Sequence, residues 1–86
     1  MGATQYTAAQ LDEMLVNKQI SCAIYRLNSC YVQIHSDGNE DYLAYGSNVW
    51  GAAKLNPKDI EIYESGLDEA ELDVDMTLKY CEFKEA

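Results

Sequence analysis

The chain has 86 residues, 48% of them apolar, with 15 acids against 6 bases and a formal net charge of −9. That length holds one domain, spanning residues 1–86, with a modest core, and the apolar content excludes a disordered chain. No apolar run approaches the roughly 20 residues of a membrane span, and so acidic a field repels nucleic acid and anionic membranes.

The start Met1-Gly2-Ala3-Thr4-Gln5-Tyr6 has neither the basic nor the apolar region of a secretory signal, so a cytoplasmic protein is expected. Cys22, Cys30 and Cys81 are odd in number and lack CxxC spacing. That argues against a disulfide framework or a zinc site and for small buried side chains.

Thr7-Ala8-Ala9-Gln10 reads as a capping box, with Tyr6 and Leu11 placed for a hydrophobic staple. Ala8, Leu11, Met14, Leu15 and Lys18 follow at helical spacing, which predicts a helix over about residues 8–18. Its narrow apolar stripe suits one face of a sheet.

Ile20–Leu27 and Cys30–Ser36 are rich in strand formers, and Asn28-Ser29 between them can make a tight turn. The resulting register pairs Leu27 with Cys30, Tyr25 with Val32 and Ala23 with Ile34 on one apolar face. Arg26 with Tyr31, Ile24 with Gln33 and Cys22 with His35 fall on a mixed face. Asp37-Gly38-Asn39 signals the next turn. A loop over Asp37–Glu40 sets Ile34 against Leu43 and Val32 against Tyr45, extending the apolar face. A tighter loop at Asp37-Gly38 would set Asp41 against Ile34. The longer loop is preferred, and the three strands form a meander.

Gly46-Ser47-Asn48 breaks the third strand, and Val49–Leu55 can form a short helix capped by Ser47 or Asn48 and ended by Asn56-Pro57. Trp50 is expected to anchor this segment. In Asp59–Glu64, alternation predicts a strand with Ile60 and Ile62 inward and Glu61 and Tyr63 outward. Leu67–Leu72 reads as a helical turn or an acidic loop. Asp73–Phe83, with Val74, Met76, Leu78 and Tyr80 alternating with polar residues, reads as the clearest strand of the chain. The predicted fold is α+β: an N-terminal helix on a mostly antiparallel five-stranded sheet, with a short helix between the third and fourth strands.

Catalysis finds little support. His35 is the single histidine, and its cross-strand neighbour Cys22 is the one candidate partner for a nucleophile–base pair. No oxyanion donor or orienting acid accompanies them, and an open sheet face offers no pocket. An EF-hand loop aligned on Gly38 would run from Gln33 to Ala44, both wrong as ligands. Glycines 46, 51 and 66 are too scattered to cradle a phosphate. The bases do not cluster, so direct nucleic-acid binding is disfavoured. The chain is read as a non-enzyme that needs no cofactor and no metal.

The acidity is uneven. Asp59, Glu61, Glu64, Asp68, Glu69, Glu71, Asp73 and Asp75 follow one another with no intervening base. Such a run can be a solvated, solubilising face. It can also be a protein ligand for a basic groove, because carboxylates compete for the contacts that a basic protein offers to phosphates. Tyr63 lies among the acids as a candidate anchor, since tyrosine joins apolar area to a hydroxyl. In size, charge and tyrosine content the chain is similar in kind to phage-encoded inhibitors of host defence, such as anti-CRISPR and anti-restriction proteins and other DNA mimics. That resemblance implies an inhibitor whose partner is a nucleic-acid-binding protein with a basic surface. The other reading is an interaction module or small subunit that binds through Ile24, Tyr31 and Tyr42 on the mixed face, homodimerisation included.

Overall fold

The computed structural model describes residues 5–28, 30–44 and 55–84. Helix α1 spans Ala8–Val16 and begins as its sequence dictates. The Thr7 hydroxyl accepts from the Gln10 backbone N–H at 3.1 Å, and the Gln10 side chain accepts from the Thr7 N–H at 2.8 Å. Strands β1 (Cys22–Leu27), β2 (Cys30–His35) and β3 (Glu40–Ala44) form the expected antiparallel meander. The β1–β2 register is the expected one at all six pairs, from Cys22 opposite His35 to Leu27 opposite Cys30. Asn28 helps close that hairpin in the left-handed conformation, at φ 50°, which asparagine tolerates better than most residues.

The β2–β3 register differs from expectation. Ile34 faces Glu40 in place of Leu43, and Val32 faces Tyr42. The turn is tighter than Asp37–Glu40: the His35 N–H donates to the Asn39 carbonyl at 2.8 Å, and the Gly38 N–H donates back to the His35 carbonyl at 2.9 Å. Gly38 sits at φ 96°, where a side chain would be strained. A slip by an odd number exchanges the two faces of a strand. Here the exchange is tolerated because both faces are covered: Tyr42 and Leu43 are both buried, at 3% and 1% exposure. Tyr45 and the helix expected over Val49–Leu55 lie outside the described residues, apart from Leu55, and so does Trp50. Leu55 runs beside β3 and donates its N–H to the Tyr42 carbonyl at 3.0 Å.

The largest departure is in the second half of the chain. Asp59–Glu64 is not a strand but part of helix α2, Pro57–Glu64. Asn56-Pro57 starts this helix rather than ending another, because proline at the first helical position lacks only an N–H that would be unpaired anyway. Ile60 and Tyr63, one helical turn apart, pack inward on Leu27, Cys30, Val32 and Tyr42, while Ile62 is 69% exposed. A 3-10 turn over Leu67–Glu69 leads to a two-residue strand β4, Glu71–Leu72. It pairs antiparallel with β1, giving the sheet order β3-β2-β1-β4. Among the described residues the sheet therefore has four strands, not five.

Asp73–Phe83 is not a strand either. Val74–Tyr80 is helix α3, capped by the Asp73 side chain, which accepts from the Met76 N–H at 3.0 Å. Asp75 in the first turn and Lys79 in the last complement the helix dipole. The chain still follows β1 before this helix and the residues leading into β1 after it. Before it, the Asp73 N–H donates to the Ile24 carbonyl. After it, the Ser21 N–H donates to the Glu82 carbonyl, the Lys84 N–H donates to the Gln19 carbonyl, and Phe83 bridges Ile20. Helix α3 is an arch inserted in an edge strand. Where the arch lifts the backbone away, the Thr77 hydroxyl accepts from the Ile24 N–H at 2.9 Å. Thr77 is fully buried for that reason, since an unpaired buried N–H would be costly.

The core lies on both sides of the sheet. One face carries Leu11, Ile20 and Ala23 under α1 and Leu27, Cys30, Val32 and Tyr42 under α2. The other carries Cys22 and Ile24 with Tyr31, packed by Met76 and Cys81. Cys22 and Cys81 form a disulfide across 59 residues, with Cα atoms 5.4 Å apart, which corrects the expectation of no disulfide. Only Cys30 is a buried thiol. No described helix is long and apolar enough to cross a membrane.

Candidate functional site

The acids from Asp59 to Asp75 fall on four elements with different duties. Asp59, Glu61 and Glu64 belong to α2, Asp68 and Glu69 to the 3-10 turn, and Glu71 to β4. Asp73 is the cap of α3, and Asp75 sits in its first turn. Glu61, Glu64, Asp68, Glu69, Glu71 and Asp75 are exposed, whereas Asp59 and Asp73 are half-buried. Asp73 is occupied by the Met76 N–H, so it serves the fold before any partner. Tyr63 is half-buried against the core cluster beneath α2, so most of its ring is spent on packing.

The structure joins Glu69 and Glu71 to residues that the linear run did not contain. Arg26 stands opposite Glu71 in the β1–β4 ladder. Arg26, Asn28, Glu69 and Glu71 line an open cleft of about 230 Å³. A run without bases in sequence thus receives one from β1 in space, and the field over β4 is partly neutralised. The segment from Glu61 to Asp68 has no such neighbour within its own run, although Lys58 precedes it on α2.

Glu40 is an acid that the linear reading missed. The Tyr42 hydroxyl donates to a Glu40 carboxylate oxygen at 3.2 Å. Burial first, then the charge and hydrogen bond of Glu40, then the charge of Glu64, push the Tyr42 phenol well above its ordinary value. One carboxylate of strand β3 and one of helix α2 therefore both act on this phenol. The signal was present in the Glu40-Asp41-Tyr42 spacing, but only the true β2–β3 register buries Tyr42 and reveals it.

The remaining candidates resolve differently. Cys22 and His35 are cross-strand partners as expected, but Cys22 is bonded to Cys81. His35 Nε2 and Asp41 Oδ2 are 3.0 Å apart. An oxidised sulfur is no nucleophile, so this pair is not a Cys–His site in the disulfide form. Ile24 and Tyr42 are buried, and Tyr42 lies on the face beneath α2, not on the mixed one. Of the three residues expected to present a docking face, only Tyr31 keeps partial exposure. Among the described residues, no group of three His, Cys, Asp or Glu side chains is placed to hold a metal ion. Comparison with family models, curated proteins and solved structures gives no match for this chain, so geometry and charge carry the functional argument.

Proposed function

We propose that this protein is a non-enzymatic, cytoplasmic inhibitor that occupies a basic, nucleic-acid-binding surface on a partner protein, in the manner of a DNA mimic. The supporting observation is the exposure of Glu61, Glu64, Asp68, Glu69 and Glu71 along one continuous segment, from α2 through the 3-10 turn to β4. Their backbone is already folded into helix, turn and strand, so binding must order the side chains but not the segment itself. Complementary charge steers encounter and makes association fast and salt-sensitive.

The placement of the acids selects the variant that tests this. Reversing Asp73 would damage a helix cap, so its loss would confuse folding with binding. Glu61→Lys, Glu64→Lys and Glu69→Lys together change exposed side chains that cap no helix, and each surface change should stay within about 0.5 kcal/mol of neutral. In a pull-down from lysate, a partner retained at low salt should be released by added salt, displaced by duplex DNA and lost with the triple variant. Partner binding that resists both salt and duplex DNA, or that survives the triple reversal, refutes the proposal.

A further inference from the structure

We infer that the Cys22–Cys81 disulfide is a redox latch: reduction by a dithiol frees the segment from Asp73 to Lys84 from the edge of β1, while the meander stays folded. Three observations carry this. First, Cys81 closes the far end of the α3 arch, so the bond ties the returning chain to the strand that the arch leaves. Second, α3 has seven residues, and helices shorter than about 12 residues are marginal without outside support. With the bond cut, what holds it includes the Thr77 and Asp73 contacts with Ile24, the packing of Met76, and beyond it the short pairing of Glu82–Lys84 with residues 19–21 and the stack of Phe83 on Tyr6. Third, the two halves of the core are separable. The cluster beneath α2 contains no residue of this segment, and the one beneath α1 meets it through Val74 and through Phe83, which stacks on Tyr6 and bridges Ile20. The cluster that does depend on the segment is the one built around the disulfide itself, with Ile24, Tyr31 and Met76. Units with separate cores open separately.

The chemistry is thiol–disulfide exchange with a dithiol of the thioredoxin class. Its thiolate attacks Cys81 Sγ, on the less deeply buried of the two residues, 6% exposed against 2% for Cys22. The S–S bond breaks, and its electron pair leaves on Cys22 Sγ. The Gln33 side-chain amide donates to that sulfur at 3.2 Å and stabilises the departing thiolate, which then takes a proton from water. The reductant's second thiol attacks its own sulfur in the mixed disulfide and releases Cys81 as a thiol. Two electrons and two protons pass to the protein, and the reductant becomes a disulfide. Cys30 takes no part, because it is buried on the opposite face of the sheet. The reduced protein presents Ile24, which the oxidised one buries, and more of Tyr31 and Met76, which the oxidised one covers in part.

Hydrogen exchange of the oxidised protein, and of the same protein reduced by dithiothreitol in native buffer, tests the latch. The amides of Ile24, Thr77, Cys81, Glu82 and Lys84 should exchange about tenfold faster or more after reduction, as expected for a local opening. Those of Tyr25, Val32 and Leu43 should keep their protection, and reoxidation should restore the first set. Unchanged exchange over Thr77–Lys84 overturns the proposal. So does uniform acceleration across the sheet, which would make the bond a clamp on the whole fold. A disulfide that dithiothreitol cannot reduce without denaturant overturns it as well.

Discussion

Replacing Thr77 by valine tests the account of the α3 arch at one atom. Thr77 is fully buried, and its hydroxyl oxygen accepts from the Ile24 N–H at 2.9 Å across 53 residues of sequence. Valine keeps the shape and removes the acceptor. The Ile24 carbonyl would remain paired with the Asp73 N–H, so a single backbone donor is orphaned. Leaving such a donor buried costs about 1–3 kcal/mol. At about 2 kcal/mol, the melting temperature of a domain this size should fall by roughly 8–16 °C. Thr77→Ser is the control, because it keeps the hydroxyl and loses one methyl, at a cost of about 1 kcal/mol. Thermal and urea unfolding of the oxidised protein, followed by circular dichroism, should rank wild type above Thr77→Ser and that above Thr77→Val, with unchanged urea slopes. A valine variant as stable as wild type, or more stable than the serine variant, would refute the reasoning.

Two further outcomes follow from named contacts. Asp73→Ala should lower stability by about 1 kcal/mol through loss of the α3 cap, whereas Asp75→Ala should cost a few tenths at most; equal effects in urea melts would contradict the cap. Burial, with the Asp12 hydrogen bond and charge, raises the Tyr25 phenol above its usual value of 10.0, and Tyr42 is raised likewise. Folding thus keeps protons that the unfolded chain releases above about pH 10, so stability should hold up to that pH and fall beyond it. Tyr25→Phe should flatten that alkaline decline, and a decline of the same steepness in the variant, measured by urea midpoints against pH, would count against the assignment.

The features legible in sequence were local ones. The capping box of α1 is a contact between Thr7 and Gln10, three residues apart. The β1–β2 register follows from a short turn and an alternation that both strands share. The exposed acids were also visible as a run, since exposure of charge needs no tertiary cause. The β2–β3 register was not legible, because the rule of one apolar face fails when both faces are buried, as Tyr42 and Leu43 are. Asp59–Glu64 and Val74–Tyr80 misled for a related reason: short apolar runs fit a two-residue and a helical period alike. In the first case the deciding signal was local: Pro57, expected to follow the end of one helix, starts another. In the second, the deciding contacts were the Asp73 cap, the Thr77 bond to Ile24 and the disulfide to Cys22. Composition determined a small, acidic domain, and local pattern determined its first helix and first hairpin. Only the tertiary structure closed the outer edge of β1 with an arch instead of a fifth strand. Only it set Arg26 beside Glu71, because contacts separated by half the chain leave no periodic trace in sequence.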